Sequence, residues 1–212
     1  MYILTDIIEF PPVSYADSSG LLALGGDLSV DRLLKAYNNG IFPWYDEDQP
    51  ILWFSPDPRM VLFPLELKIS KSMRQLIRKN RFEVTFNKDF ENVIKNCATI
   101  NREDQDGTWI TGDMQKAYIK LYELGHAISV EVWDQSVLVG GLYGVLLKDK
   151  NVFCGESMFS KVSNASKYGF ITLVNWLQDK GVQIIDCQVY TDHLASLGAR
   201  EIPREAFLNY LR

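Results

Sequence analysis

Ala127-Ile128-Ser129-Val130-Glu131-Val132-Trp133, Val137-Leu138-Val139-Gly140-Gly141-Leu142-Tyr143-Gly144-Val145-Leu146-Leu147 and Val152-Phe153-Cys154-Gly155-Glu156-Ser157-Met158-Phe159 are three strand-like runs separated only by short polar turns. A tight Asp134-Gln135 turn joins the first two and Lys148-Asp149-Lys150 the last two, which predicts an antiparallel meander. An amphipathic helix follows from Asn164 to Lys180 and stops at Gly181; a further strand is expected over 182–189. Meander, helix and strand together predict an α+β layer fold with a mainly antiparallel sheet flanked by helices.

Two acidic residues interrupt these apolar strands. Glu156 lies within Gly155-Glu156-Ser157-Met158-Phe159-Ser160, and Asp186 within Ile185-Asp186-Cys187-Gln188-Val189. A bare carboxylate in an apolar run is costly unless it is paired or wet, so the two segments are read as the walls of one cleft. Asp186 and Gln188 are two apart on a strand and are expected to face the same side, with Cys187 facing the other way. A cysteine nucleophile is therefore not expected. His126 and His193 stand in ordinary structural positions, and no metal-type spacing links the histidines with Cys97, Cys154 and Cys187.

Outward from this core, Asn87 is expected to cap a helix presenting Phe90, Val93, Ile94 and Cys97, and Thr111 to open another over about 112–124. A short helix, Gly198 and a last helix with Pro203 in its first turn complete the C-terminal part. The first sixty residues differ, being rich in Pro, Gly and aromatic residues. Ser29 is expected to cap a helix stopped by Gly40, and Pro56 and Pro58 to hold an extended boundary segment. The expected division is a small N-terminal domain, 1–60, and a larger domain, 61–212.

The 212 residues are 47% hydrophobic and 23% charged, which fits a globular protein and excludes a disordered chain. No apolar stretch approaches the ~20 residues of a membrane span, and no signal peptide is visible, so no membrane partner is expected. An odd number of cysteines points to a reduced, cytoplasmic setting. The net charge of −5 gives no general attraction to nucleic acid. Yet Lys68, Lys71, Arg74, Arg78, Lys79 and Arg81 form an acid-free run, and on a helix opened by Ser70 positions 71, 74 and 78 share a face. The run is either a solvated helix face or a stripe that meets a phosphate backbone.

The order meander, helix, strand is similar to that of acetyltransferases of the GNAT superfamily. Those enzymes hold the coenzyme A pyrophosphate on a glycine-rich turn before the helix. Here that connection reads Ser160-Lys161-Val162-Ser163-Asn164-Ala165-Ser166-Lys167, without glycine. A GNAT-like fold without acetyl-CoA, and with no other cofactor, is the expectation.

A more specific resemblance is carried by the blocks Leu21–Leu28, Gly40–Trp44, Leu52–Arg59, Gly107–Thr111, Gly155–Ser160, Ile185–Val189 and Ser196–Arg204. In order and over nearly the whole chain they resemble the leucyl/phenylalanyl-tRNA–protein transferases of bacteria. The resemblance implies transfer of Leu or Phe, with Met a further candidate, from aminoacyl-tRNA to proteins with N-terminal Arg or Lys, which marks them for N-degron degradation. It implies that Asp186, with Gln188, receives the proton of the attacking amine, and that Glu156 fixes an amino group. The alternative for both carboxylates is structural, satisfying backbone groups or pairing with Arg200 or Arg204. It further implies an apolar side-chain pocket from Phe153, Gly155, Met158, Phe170, Leu173, Leu177, Ile185 and Leu142, the last standing where many members carry Met. Trp44 and Trp109 would hold the terminal adenosine, their alternative being interface packing, and Lys68, Lys71, Arg74 and Arg78 would track the acceptor stem. The partners are then aminoacyl-tRNA and acceptor proteins, and the enzyme is expected to be a monomer. Phe54 replaces a frequent Trp, and the chain ends at Arg212 where many members extend further. The rival readings are a GNAT-like acyltransferase with another donor and a non-catalytic tRNA-binding module.

Overall fold

The computed structural model describes residues 2–100 and 109–212. Gly107 and Thr108, part of one of the resemblance blocks, lie outside them. In the first sixty residues β1 (Tyr2–Leu4), β2 (Leu21–Gly25), β3 (Phe42–Pro43) and β4 (Leu52–Phe54) make a small sheet in the order β1-β2-β4-β3. Helix α1 (Val30–Asn38) opens at the expected cap, the Ser29 hydroxyl accepting from the Arg32 N–H. Arg32 is itself buried. Its guanidinium donates to Asp27 and to the carbonyls of Thr5 and Ile7, which fastens the N-terminal segment.

The larger sheet runs β11-β5-β10-β9-β8-β7-β6. Its strands are β5 (Arg59–Leu62), β6 (Glu83–Phe86), β7 (Ala127–Asp134), β8 (Val137–Leu147), β9 (Val152–Ser160), β10 (Ile184–Gln188) and β11 (Arg200–Ile202). The meander β7-β8-β9 and a further strand, β10, follow the sequence reading; the parallel pairing of β10 with β9 is a finding of the structure. Helices α3 (Phe90–Thr99) and α4 (Gly112–Glu123) bury one face of the sheet; α5 (Ala165–Asp179), with α2 (Lys71–Arg78) packed on it, buries the other. The chain closes with α6 (Asp192–Ser196) and α7 (Arg204–Leu208). Ser70 and Thr111 cap α2 and α4 as expected, accepting from the N–H groups of Met73 and Met114.

Several elements depart from expectation. Asn87 does not cap α3; it takes a left-handed φ of 56° and its side chain accepts from the Ser129 N–H. The N-cap position belongs to Asp89. The carboxylate of the buried Glu131, on β7, accepts from the N–H groups of Lys88 and Asp89 and from the hydroxyls of Thr85 and Ser129. A strand residue thus satisfies the helix entry across the sheet. The β7-β8 hairpin turns on Gln135 and Ser136, both at positive φ, one residue later than expected. Strands β5, β6 and β11 are additional to the strands expected from the sequence. The proline stretch hands the chain from one sheet to the other, so β5, immediately after it, becomes an interior strand between β11 and β10. The last turns fold back on the N-terminal part. Gly40, at φ 71°, lies so close beneath Leu208 that a Cβ there would stand 2.6 Å from the Leu208 Cδ2 atom.

Candidate active site

Strands β9 and β10 pair in parallel for three residues, Val152–Ile184, Phe153–Ile185 and Cys154–Asp186, and then part. Each carries an irregularity at the point of separation. On β9 the register against β8 shifts so that Tyr143 faces Ser157 while Gly144 faces Gly155, leaving Glu156 as the extra residue. On β10 the register against β5 shifts between Asp186 and Gln188, and Gln188 adopts a φ of 65°. A bulge bends its strand and re-aims side chains, and two facing bulges open a gap between strands that would otherwise stay bonded. Gly144 permits the close approach behind the gap, since a Cβ there would meet the Cys154 carbonyl oxygen at 2.3 Å.

The gap is the floor of a cavity of about 530 Å³ reaching both faces of the sheet. On the α3–α4 side its walls include Phe42, Trp44, Ile100, Trp109, Tyr143 and Val189. On the α5 side they include Leu142, Phe153, Met158, Phe170, Ile185 and Cys187. Glu156 and Gln188 line the passage between.

The Glu156 carboxylate is 9% exposed and highly bonded. Its Oε1 accepts from the Tyr37 hydroxyl at 2.7 Å and from Gln188 Nε2 at 3.0 Å, while Oε2 accepts from the Tyr118 hydroxyl at 2.9 Å. The two tyrosine hydroxyls also touch each other. With an ionised carboxylate, two phenolic protons must serve three oxygen–oxygen contacts. A protonated Glu156 supplies the third. Burial, opposed by the hydrogen bonds from Tyr37 and Tyr118 and reinforced by the charge of Asp186, pushes the Glu156 pKa up to about 7. The same burial holds both phenols well above their ordinary value. None of this was visible in the sequence, because Tyr37 comes from α1 and Tyr118 from α4.

Asp186, expected in the cleft, is not among the cavity walls. It forms a bidentate pair with Arg59, Nε to Oδ1 at 2.8 Å and Nη2 to Oδ2 at 2.7 Å, with each side chain 1% exposed. The guanidinium also donates to the Gly40 carbonyl and lies between the rings of Phe42 and Phe207, at 4.8 and 4.9 Å. Asp186 Oδ1 accepts in addition from the Gln188 backbone N–H at 3.0 Å. It therefore touches Gln188 through the main chain rather than the amide side chain, and holds the bulge in place. Neither foreseen partner serves it, since Arg200 pairs with Glu66 and Arg204 donates to the Ser55 carbonyl.

The remaining sequence candidates divide clearly. Phe153, Gly155, Met158, Phe170, Ile185, Leu142, Trp44 and Trp109 line the cavity; Leu173 and Leu177 are buried behind it and do not. Cys187, expected to face away, is a cavity wall because the gap opens to both faces, and burial raises its thiol pKa far above the ordinary value. That keeps it protonated and a poor nucleophile. Lys68, Lys71, Arg74 and Arg78 are exposed and none makes an ion pair among the described residues, whereas Arg81 pairs with Asp134. His193, read as structural, lines the cavity with an unpartnered Nε2. Among the described residues no group of acidic, histidine and cysteine side chains is placed to hold a metal ion, and no helix is long and apolar enough to cross a membrane.

A family model described as leucyl/phenylalanyl-tRNA protein transferase matches residues 61–212, and the model of that family's N-terminal domain matches residues 26–57. The chain belongs to this family. It is 62% identical over 211 residues, the full length of both chains, to the leucyl/phenylalanyl-tRNA–protein transferase of Christiangramia forsetii. Its identity to the transferase of Flavobacterium psychrophilum is 58% over 212 residues, again covering each chain entirely. Among solved structures, the L-PGS of Bacillus licheniformis superposes on 82% of this chain and 57% of its own, at 11% identity and a TM-score of 0.43.

Proposed function

We propose that this transferase-family chain moves Leu or Phe, and Met as a further donor, from aminoacyl-tRNA to the α-amino group of proteins beginning with Arg or Lys. The observation that supports this most is the two-sided cavity. Two tryptophans stand on one face of the sheet, an apolar pocket on the other, and a hydrogen-bonded Glu156–Gln188 pair at the crossing. An aminoacyl adenosine has the same three parts: a base that stacks on aromatic rings, an apolar side chain, and between them the ester that reacts.

The reaction is aminolysis of that ester. A neutral α-amino group attacks the carbonyl carbon, the C–O bond to the ribose breaks, and the proton that the amine gives up ends on the released ribose oxygen. An α-amino group titrates at about 7.7–8.0, and Glu156 at about 7 is matched to receive its proton near neutrality. We assign Glu156 to orient and deprotonate the acceptor amine, and Gln188 to fix Glu156 and the reacting carbonyl. Asp186 acts as a positioning residue, through the Gln188 main chain and Arg59. Phe153, Met158, Phe170, Ile185 and Leu142 form the side-chain pocket, with Leu173 and Leu177 as backing. Lys68, Lys71, Arg74 and Arg78 offer sequence-independent contacts to the acceptor stem, as acceptance of several tRNAs requires. The chain is read as a small domain, 1–60, docked on a catalytic domain, 61–212, working as a cytoplasmic monomer that feeds the N-degron route.

The test is incubation with [¹⁴C]Leu-tRNA and a model protein bearing N-terminal Arg, counting label in hot-acid-insoluble material. Label that requires the N-terminal Arg supports the proposal. Binding of tRNA without transfer would return the chain to a tRNA-binding role.

A further inference from the structure

Helix α5 starts beside the cavity, just past the end of β9, and its amino end is left open. Helices α1, α2 and α4 each have a Ser or Thr side chain that takes an N–H of the first turn; Asn164, at a φ of 70°, gives α5 no such bond. Ser160 on β9 accepts from the Ser166 N–H and donates to the Val162 carbonyl. The Lys167 N–H has no partner among the described residues. Gly140 on β8 lets this end of the helix close on the sheet, since a Cβ there would stand 2.8 Å from the Ala165 Cβ atom.

A second observation points to a ligand. Ser166 is 8% exposed and lines the cavity, yet its hydroxyl has no hydrogen-bond partner among the described residues. It is not sealed from the cavity, as the His193 Nε2 atom of the same wall is. Buried polar groups are normally satisfied, so a hydroxyl left open in a cavity wall is placed for a group that arrives with the ligand. Hydroxyl and free N–H are both donors, and the helix dipole favours a negative charge in front of them. The surrounding charge agrees. Residues 160–167 include Lys161 and Lys167 and no acid. The Lys161 ammonium lies 5.7 Å from the centre of the Phe159 ring, a cavity wall. Burial first, and then the Lys167 charge, lower the pKa of His193, another cavity wall. Neither lysine pairs with a carboxylate among the described residues, and Asp192 on α6 accepts from the Tyr190 hydroxyl.

Leu and Phe side chains have no use for such donors; a phosphate ester has. Resting on the reading of the cavity as the aminoacyl-adenosine site, we propose that the amino end of α5, with Ser166, Lys161 and Lys167, binds a phosphate ester of the tRNA 3′ strand. Ser160 stands four residues beyond Glu156 on β9, roughly 13 Å at the rise of a strand. The anion that reaches it is therefore the 5′-phosphate of the terminal adenosine or the linkage before it. This contact anchors the strand inside the cavity, whereas the basic stripe on α2 lies outside it.

The experiment uses three stable competitors of Leu-tRNA: 3′-leucylamido-3′-deoxyadenosine, its 5′-phosphate, and the same nucleoside extended to the pCpA form. Each is titrated against the wild type, Ser166→Ala, and Lys161→Ala combined with Lys167→Ala, with melting temperature as the check on folding. The readout is the ratio of phosphorylated to unphosphorylated affinity within each protein, which a general loss of packing would not move. The wild type should bind a phosphorylated analogue roughly tenfold more tightly than the bare nucleoside. That gain should fall several-fold in Ser166→Ala, which removes a donor without changing charge, and vanish in the double lysine variant. Lys161 is exposed and Lys167 half-buried, so the double variant tests the site even if Ser166→Ala melts early. A gain from the 5′-phosphate alone assigns the site to the terminal nucleotide, and a gain that needs the pCpA form assigns it to the linkage before. No gain with either analogue, or the same gain in all three proteins, overturns the inference. In that event a bare nucleoside that still competes with Leu-tRNA leaves the aminoacyl-adenosine reading standing, while competition by none of the three removes both.

Discussion

Glu156 and Asp186 are both buried carboxylates at the point where β9 and β10 part, yet their surroundings differ in kind. Asp186 faces a guanidinium in bidentate geometry and is kept off the cavity. Glu156 faces only neutral donors, two phenols and an amide, and lines the cavity. A carboxylate balanced by a fixed cation holds structure together. One surrounded by neutral hydroxyls can change its protonation without losing a charge partner. The lesson is that an acidic residue in an apolar strand announces a special environment without saying which kind.

The largest effect is expected on removing the structural carboxylate. Asp186→Ala strands Arg59 as a buried uncompensated charge and should cost about 3–5 kcal/mol of stability, read by chemical denaturation. A variant that keeps wild-type stability while losing transfer would reverse the comparison and make Asp186 the reacting group. Next, Glu156 should make stability depend on pH. Its folded pKa is raised from 4.5 to about 7, so the native state holds the proton longer than the unfolded chain. Its contribution is complete below about 4.5 and is lost as pH rises through 7, with a slope of at most about 1.4 kcal/mol for each step of one in pH. Glu156→Gln, which mimics the protonated form, should abolish that decline between pH 4.5 and 7 in thermal melts; an unchanged profile would mean that Glu156 is not the titrating group.

Trp44→Ala calibrates both. Trp44 is 37% exposed, so its loss should weaken aminoacyl-tRNA binding by about 1–3 kcal/mol with little change in melting temperature. The opposite pattern would make it a packing residue, like Asp186, rather than one that meets the ligand. Smallest is the double change Arg74→Ala with Arg78→Ala on the exposed face of α2. It should leave stability and pH profile intact and make the slope of log affinity against log salt shallower, by roughly one for every phosphate no longer neutralised. An unaltered slope would leave the stripe a solvated face.

What the sequence revealed tracks how local each signal is. The meander, the caps at Ser29, Ser70 and Thr111, and the helix before β10 are legible because each depends on neighbours a few residues apart. The cap of α3 is hidden because Glu131, the carboxylate that satisfies its entry, comes from a strand some forty residues on, and Asn87, nearer by, has the more familiar capping composition. Arg59 hides in the same way: its partner is 127 positions distant, and nothing near the proline stretch marks it as a core cation. The acidic pair in the apolar strands does locate the cleft. The bulges are not legible, since Gln188 takes its left-handed conformation without the glycine that usually signals one. That bulge is also why simple two-residue alternation misplaces Asp186 relative to Gln188.

The Arg59 guanidinium reaches the Gly40 carbonyl, the ring of Phe42 from the small sheet, the ring of Phe207 from α7, and Asp186 beneath the cleft. Tyr37, also from the first sixty residues, completes the set of groups around Glu156. The cleft is thus assembled from the beginning, middle and end of the chain at once. Its formation requires contacts between residues as far as 119 and 127 positions apart, Tyr37 with Glu156 and Arg59 with Asp186. A fragment starting at residue 61 lacks the cation, the carbonyl and the phenol together, and would carry β9 and β10 without the environment that gives either carboxylate its character.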